Sequence, residues 1–454
     1  MSMLDLTPRE PITRQALRIN PLAGCQPLGA IYASLGIHGC MPHSHGSSGC
    51  SRYQKTLLQR HFRRSFKVTT SVLKESAAIF GGDANLKTAV KNIFDLYNPE
   101  IIAVHTTCLS ETIGDDIKAC LCDFPLPEGK YLIHANTPSY TGSHITGFAN
   151  LAASAIQYLA VDSGSPNDKV CILPGFVNPG DMKEIKRISA LMGVHYIMLP
   201  DTCGVFGQRR LEKINEYPAG GTRVADIIDL GNCKKTFALG KYASEAAAVQ
   251  LREQCGVPLV LMDLPIGIEA TDRFIMALKQ ISRQDVSYDL EEEREQVIDI
   301  ILDAHPYFYH KKIALFGDPD LIIALAEFTA GIGMIPQYAV SGTPGAYFED
   351  RMREIFRKYK IDGRAKNPAD LFDLQQWLKN EPVDLLMGDT HGKLLARAED
   401  LPFVRIGFPV MDRHVHSYLP VVGYRGAIRV LDMILNALMD RLDRDCPEND
   451  LVFI

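Results

Sequence analysis

This chain of 454 residues lacks the usual local signatures of catalysis. It has no GxxxxGK followed by Ser or Thr, so ATP hydrolysis by a phosphate-binding loop is excluded. No GxGxxG follows a strand-like run, which argues against the common dinucleotide site. HExxH, GxSxG and CxxC are also missing. Those absences remove the zinc-protease helix, the nucleophile elbow and the local redox pair. No apolar run approaches the roughly 20 residues that a membrane helix needs. The opening segment MSMLDLTPREPITRQALRIN has no apolar signal core. The expectation is a cytoplasmic protein with no membrane partner. A formal net charge of -6 gives no general electrostatic drive toward nucleic acid.

What is present reads as ordinary globular chain, 46% hydrophobic and 22% charged. Short apolar runs alternate with helical stretches. Strands are predicted at 101–107, 130–137, 169–175, 195–200, 235–240, 258–263, 311–318, 335–342, 383–390 and 403–408. Helices are predicted at 181–192, 244–254, 319–331, 346–359 and 425–442. Near-continuous apolar strands bounded by Gly, Pro or Asp suit a parallel sheet buried on both faces. The alternation implies an α/β fold of βαβ units. Two stretches, VCILPGFVNPGDMKEIKRISALMGVHYIMLP and IALFGDPDLIIALAEFTAGIGMIPQYAVSG, share one strand–loop–helix–strand plan. At about 150 residues per domain, the expectation is three Rossmann-like domains, each a mainly parallel sheet flanked by helices. Their expected spans are 1–165, 166–290 and 291–454. The first boundary falls within DSGSPND (162–168). The second lies near an acidic run, DLEEERE, that suits the start of a helix.

Eleven cysteines in a reducing compartment are free thiols or metal ligands rather than a disulfide framework. Three stand out: Cys25 in INPLAGCQPLGA, Cys50 in HSHGSSGCSRY and Cys108 in AVHTTCLSETIGDD. Each is set beside glycine or small polar residues. Gly24 and Gly49 precede two of them and are expected to leave room for a bulky ligand. Separations of 25 and 58 residues exclude a local zinc knuckle. They allow a site assembled from distant strand ends. Three thiolates are one short of the four that hold a simple iron–sulfur cluster. Either another kind of ligand or a partner chain must complete such a site. Cys40, Cys171, Cys203, Cys233, Cys255 and Cys446 are read as structural thiols, and the Cys120/Cys122 pair as incidental.

The segments INPLAGCQPLGAIYASLGIHGCMPHSHGSSGC, FGGDANLKTAVKNIFDLYNPEIIAVHTTCLSETIGDD and NTPSYTGSHITGFANL resemble the beta chains of nitrogenase molybdenum–iron proteins. The resemblance continues through ALFGDPD, RIGFPVMDRHVH and VGYRGA and covers the chain from about Ile19. It implies an enzyme subunit that pairs with a homologous alpha chain in an alpha2beta2 heterotetramer. It implies a P-cluster, an eight-iron seven-sulfur cluster, shared across the alpha–beta boundary. The ligands carried over are Cys25, Cys50 and Cys108. Ser139, in TPSYTGSH, matches a serine that binds iron when the cluster is oxidised. The molybdenum–iron cofactor belongs to the alpha chain alone, so no catalytic residue is expected here.

The same resemblance makes an ATP-hydrolysing iron protein a transient partner. Phe80, in AIFGGD, matches the aromatic at that docking surface, and Tyr53 matches a tyrosine near the cluster. A mononuclear metal between two beta chains is also implied. Asp299 and Asp303, four apart on one helix face, match its aspartates, and Arg63 matches the residue offering a backbone carbonyl. Arg64 stands where the family has a glutamate. A cation there opposes the metal, and the alternative is a salt bridge between beta chains. Three rival readings are a vanadium or iron-only nitrogenase beta chain, a non-catalytic cofactor-assembly scaffold and a cluster-free α/β binding module.

Overall fold

The structure, a computed structural model, describes residues 7–10, 12, 14, 19, 21–207 and 217–447. The chain forms two compact units, Gly24–Asp263 and the pairing of Met1–Ala23 with Leu264–Ile454. All strand pairing within the three sheets is parallel. Every predicted strand is present, with ends within two residues except for 403–408, which stops three residues early at Arg405. Among the described residues, no helix is long and apolar enough to cross a membrane.

In the Gly24–Asp263 unit the first sheet contains β1 (Cys40–His45), β2 (Thr69–Thr70), β3 (Ile101–Thr106) and β4 (Tyr131–Ala135), ordered β2-β1-β3-β4. In β3, Ile101, Ile102, Ala103 and Val104 are fully buried. Each large aliphatic so placed contributes about 1.5–3 kcal/mol relative to exposure. The second sheet contains β5 (Val170–Leu173), β6 (Tyr196–Met198), β7 (Thr236–Leu239) and β8 (Leu259–Met262), ordered β6-β5-β7-β8.

Seven helices accompany the first sheet: α1 (Gln26–Leu35), α2 (Ser48–Phe62), α3 (Glu75–Phe80), α4 (Asp83–Tyr97), α5 (Cys108–Ile113), α6 (Ile117–Leu121) and α7 (His144–Leu159). α1 and α7 meet backbone to backbone. A Cβ on Gly29 would lie 1.7 Å from the carbonyl oxygen of His144, and one on Gly147 would lie 1.9 Å from that of Gln26. Only glycine fits at either crossing point. An aromatic knot then joins the two sheets of this unit. Tyr32 stacks on Phe62 at 5.0 Å and meets Phe176 edge-on at 5.2 Å. Its hydroxyl donates to the Val177 carbonyl at 2.6 Å.

The other unit holds β9 (Lys312–Gly317), β10 (Ile335–Ser341), β11 (Arg364–Lys366), β12 (Leu385–Gly388) and β13 (Phe403–Arg405), ordered β11-β10-β9-β12-β13. The helix Pro319–Gly331 between β9 and β10 is buried along nearly its whole length. Its Glu327 is satisfied by Arg273 and Arg351, each at 3.1 Å, and Lys358 at 3.3 Å. Paired cations hold that carboxyl below its usual range, against the opposing effect of burial. The described part of the N-terminal lead-in belongs to this unit. Arg14 grips Asp370 with two 2.8 Å bonds, and Asp370 caps the helix Leu371–Asn380. The acidic run begins a helix as expected, over Tyr288–Phe308.

Gly29→Ala tests the α1–α7 crossing. Forcing a methyl against a backbone carbonyl should cost about 1–3 kcal/mol or more, read as a lowered denaturant midpoint. An unchanged midpoint would show that the helices do not approach this closely.

Candidate metal centre

The first sheet sets three of the four candidate ligands on one edge. His45 pairs with Thr106 at the carboxyl ends of β1 and β3, and His105 pairs with Ala135 toward the end of β4. The three strands therefore stop nearly level. Cys50 follows β1 by five residues, in the first turn of α2. Cys108 follows β3 by two and is the first residue of α5. Ser139 follows β4 by four, in the turn that leads to α7. Ligands beyond the carboxyl ends of parallel strands are the general pattern for open α/β sheets.

Local bonds lock these exits. The hydroxyls of Ser110 and Thr107 donate to the His45 carbonyl at 2.8 and 3.3 Å. A Cβ on Gly46 would fall 2.0 Å from the Thr107 hydroxyl oxygen, so β1 leaves the sheet pressed against the start of α5. Thr137 donates through Oγ1 to the Thr106 carbonyl at 2.7 Å, which fixes the approach to Ser139.

Cys25 reaches the same corner from another direction, as the N-cap of α1. Its sulfur accepts a 3.5 Å bond from Gln54 Nε2, one helical turn after Cys50. Gln26 ties α1 to the Ser139 turn, donating to the Thr141 carbonyl at 2.9 Å. Cys50 Sγ accepts from the Ser47 hydroxyl at 3.4 Å. All three thiols are partly accessible, and each sits at the positive end of a helix, where a thiolate is favoured. In the protein alone, burial pushes the Cys25 thiol up, the Gln54 bond opposes this, and the neighbouring Cys50 adds to the rise. The donor set is thus soft, anionic when charged, and incomplete. Among the described residues, no three His, Cys, Asp or Glu side chains close around a single metal ion.

Gln54 and Ser47 were not legible in the sequence as hydrogen-bond donors to the candidate ligands. The available signal was their spacing from Cys50, four after and three before, which puts Gln54 on its helix face. One expectation needs correcting. Gly49 does open onto free space, but the space beside Gly24 is filled by Leu28, 2.7 Å from where a Cβ would stand. The space beside Gly24 is thus taken up by packing rather than left open to a ligand.

Behind the ligand edge, β1 carries a buried polar chain. His43 Nε2 lies 2.8 Å from the Ser71 hydroxyl, which lies 2.9 Å from His45 Nδ1. His45 Nε2 meets Asp115 Oδ2 at 2.9 Å. His105 Nε2 meets the Ser44 hydroxyl at 2.6 Å. Burial pushes both His43 and His105 down to about 3, and it lowers His45 against the pull of Asp115.

A family model for nitrogenase component 1 type oxidoreductase matches residues 25–439. The chain belongs to that family. It is 51% identical over 453 residues to the nitrogenase molybdenum–iron protein beta chain of Clostridium pasteurianum, covering 99% of each chain. The beta chain of Methanococcus maripaludis is 37% identical, over 97% of this chain and 98% of that one. The solved structure "Nitrogenase Cp1 at pH 6.5" matches with a TM-score of 0.98 at 50% identity, each chain covered in full. A chain of "Nitrogenase Cp1 at pH 5" matches at 18% identity with a TM-score of 0.71, over 96% and 92% of the two chains, and shares the fold. This nitrogenase-family chain is therefore an oxidoreductase subunit of the beta-chain kind.

The remaining family positions fall as follows. Tyr53 lies on α2, three residues after Cys50, and is 67% exposed. Phe80 ends α3 and is 87% exposed, so it is not a core residue; its neighbour Ile79 is 75% exposed. Asp299 and Asp303 are both exposed on the helix Tyr288–Phe308. Arg63 closes α2 in a left-handed conformation, φ 56°. The Arg64 guanidinium donates to the Phe206 carbonyl at 3.3 Å within its own unit.

The buried histidines generate a pH prediction. Unfolded histidines protonate near 6.5, whereas His43 and His105 resist protonation down to about 3. Protons then bind the unfolded chain preferentially, so stability is complete above about 6.5 and falls as pH drops through it. By pH 5 the loss should reach about 2 kcal/mol per histidine, measured as a lower urea midpoint than at pH 7. Replacing His43 with Gln should shrink that difference. An equal midpoint at both pH values would mean that these residues charge freely in the folded protein.

Proposed function

We propose that this chain is the beta subunit of a dinitrogenase component and holds one side of a P-cluster at the boundary with its alpha chain. Family membership implies an iron–sulfur protein. The observation that carries the finer reading is the meeting of distant donors at one sheet edge. Cys50, Cys108 and Ser139 follow level strand ends, and Cys25 is tied to α2 through Gln54. Thiolates are the soft ligands that iron–sulfur clusters take. When bound, the cluster supplies a one-electron relay toward the molybdenum–iron cofactor of the alpha chain.

The chain's own residues bind and tune that group. Cys25, Cys50 and Cys108 provide sulfur. Gln54 and Ser47 each donate a hydrogen bond to a ligand sulfur, a contact that adjusts cluster potential. Ser139 offers a harder oxygen donor that favours more oxidised iron. The alpha chain completes the ligand set, which makes assembly of the alpha2beta2 heterotetramer depend on cluster loading. Phe80 anchors the transient docking of the ATP-hydrolysing iron protein, and an exposed aromatic is suited to that role. Asp299 and Asp303, with the Arg63 carbonyl, form part of a mononuclear metal site between beta chains. Arg64, which stands where the family has a glutamate, opposes that metal, and the competing reading pairs Arg64 of another beta chain with the two aspartates. The molybdenum type is favoured over the vanadium and iron-only types because the similar curated chains are molybdenum–iron beta chains.

Cys50→Ala should remove cluster iron and weaken pairing with the alpha chain, measured by iron quantitation and size-exclusion of the purified complex. Full iron content with full acetylene reduction in that variant would refute the ligand assignment. Phe80→Ala should slow electron delivery while leaving iron content intact. Loss of iron instead would reassign Phe80 to packing.

A further inference from the structure

Asp115 lies between α5 and α6, outside the ligand set, with a side chain only 4% exposed. Its two oxygens serve different elements. Oδ2 meets His45 Nε2 at 2.9 Å, and Oδ1 accepts the Gly82 amide at 2.9 Å. Gly82 is the N-cap of α4 and follows Phe80 by two residues. A Cβ there would stand 2.5 Å from Asp115 Oδ2, 2.8 Å from Leu73 and 2.9 Å from the His45 ring. Gly81, in between, has a φ of 91°. The reversal from α3 into α4 is thus seated directly on one carboxylate.

α3 needs such a seat. It has six residues, of which only Ala77 is buried. A helix so short is unstable by itself, and Ile79 and Phe80 at its end are largely exposed. Its order comes from its ends, where Gly81 bonds back to the Ala77 carbonyl at 2.9 Å and Gly82 bonds to Asp115. The carboxylate is itself held from behind. An ionised Asp115 accepts from His45 Nε2–H, which leaves His45 Nδ1 to accept from Ser71, whose oxygen accepts from His43.

We propose that Asp115 is a positioning residue for docking: by fixing the Gly82 amide it presents Ile79 and Phe80 to the iron protein in a pre-ordered form. This rests on the docking role given to Phe80 above. A contact that is ordered before association loses less conformational freedom on binding. Loosening it therefore weakens association without removing any atom of the contact surface.

The test uses the complete alpha2beta2 complex with its iron protein. Wild type, Phe80→Ala, Asp115→Ala and Asp115→Asn are compared for the iron-protein concentration that gives half-maximal acetylene reduction, for the rate at saturation, for iron content, and for amide hydrogen exchange over residues 78–86. Asp115→Ala should raise the half-saturating concentration roughly fivefold or more. It should keep the saturated rate within about twofold and full iron, and speed exchange at Gly82. Asp115→Asn should restore most of both effects, because an amide still accepts from Gly82. Should Asp115→Ala prevent assembly, Gly82→Ala carries the same test, since its methyl displaces the loop while the carboxylate stays. If Phe80→Ala raises the half-saturating concentration but Asp115→Ala changes neither that value nor exchange, the positioning role is wrong. Loss of iron in Asp115→Ala also overturns it. If Phe80→Ala itself has no effect, the docking reading fails first.

Discussion

The candidate centre depends on the parallel register of β1, β3 and β4. Pairing His45 with Thr106 and His105 with Ala135 makes the three strands end nearly level. In parallel pairing all carboxyl ends lie on one side, so residues 50, 108 and 139 emerge on the same edge despite their distance in sequence. A shift of one residue in any strand would exchange the side chains on its two faces. The fully buried Ile101–Val104 run makes that shift costly. The placement of the candidate ligands is therefore fixed by core packing.

That division explains what the sequence revealed. Strands such as Ile101–Thr106 and Lys312–Gly317 are apolar on both faces and are bounded by loops. Their period and punctuation suffice to find them. β1 reads differently. Its CMPHSH contains two histidines and a serine, yet all six residues are buried. Hydrophobic pattern cannot identify such a strand, because its polar groups are satisfied by partners far away in sequence, Thr69, Ser71, His105 and Asp115. β2 and β11 were missed for a simpler reason: two or three residues, none of them buried, leave no periodic signal. The cysteines were legible as unusual by setting, but their common edge was not, since it follows from β1. The opening segment shows no apolar pattern, and nothing in it signals that Arg14 grips Asp370, 356 residues later in the chain.

Buried histidines are an expensive way to build a strand, since each imidazole must keep its hydrogen bonds and stay neutral. In β1 the expense coincides with position. His43 and His45 alternate with Ser44, so the histidines face β2 and Asp115 while Ser44 reaches His105 on the other side. An apolar strand would pack as well but would hold nothing at its end. The polar chain instead fixes Ser71, the exit of β2, and the carboxylate of Asp115 to a single rigid strand.

The same strand consequently carries two loads. Beyond its end, five residues on, stands Cys50; beside its end, through Asp115, is the turn that follows Phe80. Gly46 and Gly82 both lie too close to their neighbours to accept a side chain, so neither connection has slack. A displacement at the exposed end of α3 cannot be absorbed by a flexible loop before it reaches β1. It must be met by the Gly82–Asp115–His45 contacts or transmitted to the strand that leads to Cys50. Rigid, close-packed links of this kind have few alternative arrangements, which is what holding the proposed docking surface and the candidate ligand edge in fixed relation requires.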